Sequence, residues 1–288
     1  MSQHKGFSLL ELLLSMSIGL IVIMVIAKTF INFNKTYKIE NSLALMQENA
    51  RFTAYMMRNV VASAGMIGSA RMTSYLPINN QGVGAFNQID VSNYFAVYKG
   101  VNNTWQPALP KIFNIKPKNN TDVIAIKSME PITANLVQSL NESNKVYVSF
   151  APQFNTNDDI VIADCLHVVL AHIKSVYYSV KNQQQILTMT QIIHDKFDLN
   201  AEAGKIQTNI FYIQNTGRKN IRGEKIYSLY HVNANGRKDE LIPNVVDLKV
   251  SSLVKNKIIK IKLTLMSEND AILKSKNFQF FIRLFDHA

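Results

Sequence analysis

The chain of 288 residues predicts an α+β fold, a long N-terminal helix packed on a largely antiparallel β-sheet domain. Three observations carry that expectation. Residues 7–27 hold 21 positions and a single charge, Glu11. Apolar side chains then recur at helical spacing, and no proline appears until Pro77. Beyond about residue 70 the pattern changes to short β-branched and aromatic runs set apart by Asn, Gly and Pro.

At a rise of 1.5 Å per residue, the first run spans roughly 31 Å as a helix, the thickness of a bilayer's hydrocarbon core. A secretory signal peptide has an apolar region of about 7–15 residues and a small-residue exit. Here a six-residue leader, MSQHKG, ends before a much longer run, so that run is expected to stay with the mature chain. His4 and Lys5 precede it, which leaves the N-terminus on the cytoplasmic side and the remainder across the membrane, with Lys28 and Lys35 pulling the other way. The expected organisation is a leader at 1–6, a membrane-spanning helix half at 7–28, an amphipathic helix half at 29–64 and a β-rich globular domain at 65–288.

In the amphipathic half, Phe30, Phe33, Tyr37, Leu45, Phe52 and Met56 recur at spacings near three, four or their sums. This stripe is expected to lie on the globular domain, while Lys35, Lys38, Arg51 and Arg58 keep the other side wet. Gly19 is the one intrinsic weak point of the span, and the Ala64–Gly65 to Gly68 stretch supplies the helix stop. Strands are expected at 94–98, 122–127, 145–150, 159–164, 166–173, 175–180, 209–214, 226–232, 245–252, 257–266 and 276–285. Residues 77–93 and 99–121 read as loops.

The formal charge of +11 is uneven. Counted by segment it is +1 for 1–6, +2 for 7–64, zero for 65–204 and +8 for 205–288, where 15 basic residues face 7 acidic ones. A basic surplus attracts nucleic acid, anionic lipid or acidic partners. Much of it, however, is Lys alternating with Ile or Leu, as in Lys260, Ile261, Lys262 and Leu263, which suits the solvated face of a strand guarded against aggregation. The lone Cys165 has no internal partner, so it is a free thiol or an intermolecular bridge and does not identify the compartment.

Nothing in the sequence points to catalysis. It lacks the P-loop, H-E-x-x-H, G-x-S-x-G and G-x-G-x-x-G patterns. Cys165, His167 and His172 are the one compact set of soft ligands. On a strand the first two would share a face and His172 would point the other way, which argues for an ordinary strand over zinc. Asp158, Asp159 and Asp164 read as turn and capping residues. No catalytic, cofactor-binding or metal-ligating residue is assigned.

Glu11 needs a cause, because an acid at the centre of a membrane helix costs about 2.5–3.5 kcal/mol. It lies four residues beyond Phe7, about 6 Å along a helix and thus near the interface. A cut after Gly6 would give Phe7 a positive amine, the natural partner of a carboxylate in a dry assembly. Lys5, Gly6, Phe7 and Glu11 together resemble the prepilin cleavage motif. The resemblance implies a type IV pilin-like fold, cleavage between Gly6 and Phe7 by prepilin peptidase, N-methylation of Phe7, and Glu11 meeting a neighbouring subunit's N-terminus during assembly. It also implies inner-membrane anchoring before assembly and a place in the pilus afterwards.

The stretches LMQENARFTAYMMRNVVASAGMIG (45–68), TDVIAIK, DDIVIADCLHVVLAHI, NIFYIQNTG, YSLYHVNANG and DELIPNVVDLKVSS resemble, in order and spacing, the PilW family of minor pilins. That resemblance implies a structural role at or near the pilus tip, priming assembly beside other minor pilins, the major pilin and a tip adhesin. Many members carry a cysteine after the glycine matching Gly68, able to pair with one matching Cys165; this chain has Ser69 there, so that disulfide is out of reach. Two alternatives stay open, a minor pseudopilin of type II secretion and a DNA-uptake pilin using the basic C-terminal third.

Overall fold

A computed structural model describes residues 9–68, 70–71, 78–81, 94–150, 154–220, 222–233, 236–254, 258–267 and 275–284. With no proline to interrupt it, the helix α1 runs unbroken over Leu9–Ala62, 54 residues, and passes Gly19 with open space around that residue. It ends where expected. The amides of Ser63 and Ala64 reach back to the carbonyls of Val60 and Val61 at 3.2 and 3.1 Å. Gly65 then turns the chain at φ 69°, in the left-handed region that a residue without Cβ enters freely.

The strands follow in order: β1 (Met66–Ile67), β2 (Ala70–Arg71), β3 (Ile78–Gln81), β4 (Phe95–Val101), β5 (Thr104–Gln106), β6 (Val123–Met129), β7 (Ala134–Asn135), β8 (Ser143–Ser149) and β9 (Asp159–Ala163). They continue with β10 (Val168–Ser179), β11 (Gln184–Ile193), β12 (Glu202–Lys219), β13 (Lys225–Val232), β14 (Lys238–Ile242), β15 (Val245–Val254), β16 (Ile258–Met266) and β17 (Ser275–Arg283). The largest sheet has the order β5-β4-β6-β12-β9-β10-β11-β8, with β13 and β14 continuing from β12; β15, β16 and β17 form a separate meander. Among the described residues every ladder is antiparallel except that of β3 along β10.

The spine is β12. Its first residues pair with β9, Ile206–Phe211 with β6, and Ile210 onward with β13, so one 18-residue strand joins both halves of the large sheet. Two principal cores result. One lies between α1, β6, β12, β13 and the β15–β17 meander and includes Met57, Phe211, Ile261 and Leu263. The other fills the region of β8 to β11 around Phe154, Ile160, Leu187 and Phe197.

Three expectations change. The runs 166–173 and 175–180 are one strand, β10, whose ladder with β11 shifts register between Ile173 and Ser175; a bulge at Lys174 breaks the alternation without ending the strand. β11 was unforeseen, because Gln184, Gln185, Thr188 and Thr190 make it read as polar although Leu187 and Met189 are buried. The 99–121 segment also contains β5 and a 3-10 turn at Lys111–Phe113 that buries Phe113.

The largest correction concerns α1. Its covered face is Met46, Ala50, Thr53, Met57 and Val61, at helical spacing. The aromatic stripe that was expected there is exposed: Phe33 at 71% and Tyr37 at 63%, with Leu45 and Phe52 also open. The domain covers α1 only from about Met46 onward, and there Ala50 and Thr53 let the sheet approach closer than Phe52 would.

Candidate functional site

The membrane-length part of α1 is the candidate site. Leu9, Leu13, Ile18, Ile21 and Val25 are all exposed, so this segment makes no core with the rest of the chain. It is long and apolar enough to cross a membrane. Its hydroxyls are satisfied within the helix: Ser15 Oγ donates to the Leu12 carbonyl at 2.9 Å, Ser17 Oγ to Leu13 at 2.8 Å and Thr29 Oγ1 to Val25 at 2.9 Å. That pattern suits a medium without water, where every polar group must find an internal partner. Glu11 sits in the first described turn with its side chain exposed, the one carboxylate on the apolar half. Gly6 and Phe7 lie outside the described residues.

Beyond the apolar run the helix carries two faces with different fates. One is buried on the domain. The other, with Phe30, Phe33, Tyr37, Leu45 and Phe52, is a ready apolar surface along more than 20 residues of helix. Near the point where the domain takes over, Ser267 Oγ donates to Ser42 Oγ at 3.0 Å.

The remaining candidate residues do not converge. Cys165 is exposed in the turn between β9 and β10, and His167 sits in the same turn, so neither is on a strand as the shared-face reading supposed. His172 lies in β10 opposite Asp159, with Nδ1 2.7 Å from Oδ1. Asp164 Oδ1 accepts the amides of Leu166 and His167, each at 2.7 Å, which closes the turn. Asp158 accepts the Asn155 amide at 2.7 Å and pairs with Lys205 at 2.7 Å. The three acids therefore act in turns and pairs, and among the described residues no three His, Cys, Asp or Glu gather as a metal set. Ser69 is outside the described residues.

Residues 1–27 match the family described as the prokaryotic N-terminal methylation motif. No curated protein and no solved structure matches the chain. By its N-terminus this is a type IV pilin-like protein, a class that includes pilins and pseudopilins. The motif implies processing by prepilin peptidase and assembly with other pilins, and with the apolar helix it points to inner-membrane anchoring before assembly. Its role on this evidence is structural, and a single α1 above a large antiparallel β-region is the layout such a role requires.

Proposed function

We propose that the chain is a minor pilin of a type IV pilus, similar to the PilW family, that primes assembly and takes part in the tip complex. The observation that carries this reading is α1 itself: one continuous helix, exposed and apolar at its start, buried on one face only later, and bearing Glu11 inside the apolar part. In this reading prepilin peptidase cuts between Gly6 and Phe7, the new Phe7 amine is methylated, and the apolar helix holds the subunit in the inner membrane with its β-domain on the periplasmic side. Extraction into the pilus packs the exposed stripe against neighbouring helices, and Glu11 meets the Phe7 amine of an adjacent subunit. The charge pair acts on assembly more than on anchoring, since an ammonium left half-desolvated without a carboxylate is penalised more than the pair itself is favoured.

The test is Glu11→Val in the full chain. Membrane insertion and leader removal should match wild type, because a carboxylate has been taken out of an apolar segment. Crosslinking to other pilins and recovery in sheared pili should fall. Wild-type incorporation of the variant would remove the charge-pair mechanism, and a deletion strain that keeps its pili but loses type II secretion would overturn the pilus assignment in favour of a pseudopilin.

A further inference from the structure

The β15–β17 meander turns one face to α1 and the other to solvent. Ile259, Ile261, Leu263 and Leu265 of β16 are buried, so Lys260, Lys262 and Thr264 share the outer face. Register then decides who stands beside them. Lys260 is opposite Phe281 on β17 and Ser251 on β15; Lys262 is opposite Gln279 and Lys249; Ile258 is opposite Arg283. Successive same-face residues on a strand are about 6.8 Å apart and neighbouring strands about 4.8 Å. Lys249, Lys260, Lys262 and Arg283 are thus drawn together on one flat surface, with Asp247 as the acid of the next row.

These cations are not equivalent. Lys249 is committed to the corner of the domain, 3.7 Å from Asp122 Oδ1 and donating to the Asn120 carbonyl at 2.5 Å. Lys260 and Lys262 form no ion pair among the described residues; Lys260 instead lies over the Phe281 ring, 6.0 Å from its centroid. Phe281 is 51% exposed although its neighbours Phe280 and Ile282 are core residues. An exposed aromatic ring flanked by cations and by the amide side chains of Gln279 and Asn277 is a surface on which an unpaired base can stack while its phosphates meet lysine.

We propose that this outer face binds single-stranded nucleic acid, with Phe281 as the stacking platform and Lys260 and Lys262 as phosphate contacts. Charge complementarity selects a polyanion, and two features choose among polyanions. Anionic headgroups are too far away: Ser267, at the end of β16, meets the helix at Ser42, about 21 Å along α1 from residue 28. That distance exceeds the Debye length of roughly 10 Å in 0.1 M salt. An acidic protein would use the lysines but has no need of an exposed Phe281 in their midst. The surface is remote from the exposed stripe of α1, so the proposal stands whether the chain serves a pilus or a secretion apparatus.

The experiment uses the full chain in a nonionic detergent and a fluorescent 20-nucleotide oligothymidine, followed by anisotropy across a salt series. Lys260→Gln with Lys262→Gln should weaken binding and reduce the slope of log affinity against log salt by about 1.4, two phosphates at roughly 0.7 each. Phe281→Ala should weaken binding by roughly 5- to 150-fold with the slope unchanged. Circular dichroism melts check folding, and the single Lys262→Gln variant, a surface change, keeps the test valid if Phe281→Ala melts early. Equal affinity of wild type and the lysine variants would overturn the proposal. So would duplex DNA binding as tightly as the single strand, or polyglutamate or phosphatidylglycerol vesicles competing as well as oligothymidine.

Discussion

The carboxylate of Asp122 accepts the amide of Val250 at 2.8 Å, tying the start of β6 to the middle of β15 across 128 residues of chain. The same side chain accepts the Gly100 amide at 3.1 Å and is flanked by Lys99 at 3.1 Å and Lys249 at 3.7 Å. It is 1% exposed, so these bonds have no water to replace them. Three strands, β4, β6 and β15, meet on one carboxylate, and the meander is held against the large sheet there.

Removing that carboxylate leaves two buried amides without acceptors and a cation beside them. Asp122→Ala should cost about 2–4 kcal/mol, from 1–2 kcal/mol for each orphaned donor. Gly100→Ala should be comparably damaging, because a Cβ at that position would lie 2.4 Å from the Thr121 carbonyl oxygen, a backbone atom that cannot swing aside. Urea unfolding measures both; a loss below about 0.5 kcal/mol for Asp122→Ala would mean the corner is not a fastening.

The two faces of α1 predict opposite outcomes for similar truncations. Met57 is fully buried on the domain, and Met57→Ala should lower stability by about 2–5 kcal/mol. Phe33 is exposed, and Phe33→Ser should shift unfolding by less than about 0.5 kcal/mol yet reduce crosslinking to other pilins. Equal assembly of Phe33→Ser and wild type would show that the stripe is not a packing surface.

Burial holds the His231 imidazole below its ordinary value, against a weaker opposite pull from Asp239. The ring stacks on Phe211 at 4.7 Å and its Nε2 lies 2.8 Å from Asn209 Oδ1. Because the folded value is the lower one, the unfolded chain takes the proton first. His231 therefore contributes fully above about pH 6.5, and its contribution is lost as pH falls from there through the folded value. Melting temperatures between pH 7 and 5 should decline less steeply in His231→Gln than in wild type, and parallel curves would refute the assignment.

Leader removal rests on Gly6, and prepilin peptidase resembles a site that admits only a very small residue before the cut. Gly6→Ala should leave the leader attached, read as the intact N-terminus by mass spectrometry of membrane fractions. A normally processed variant would sink the cleavage assignment.

The N-terminal half of α1 was legible because its information is local. A membrane-length run, a single carboxylate at Glu11 and the absence of proline each act within a few turns of the helix that they define. Strands such as β6, β13 and β16 were legible for the same reason, since alternation within one strand records which face is buried. β11 was not, because Gln185 and Thr188 gain their places only through pairing with β10 and β8.

What the sequence determined by itself was therefore the kind of each long element and the chemistry at the N-terminus. Tertiary structure alone decided which face of α1 is covered, because Phe52 and Met57 are both good apolar candidates and only the fit of the sheet over Ala50 and Thr53 separates them. It alone set Lys260 beside Phe281 and Asp122 against Val250, since cross-strand register and contacts over more than 100 residues depend on how the whole chain closes.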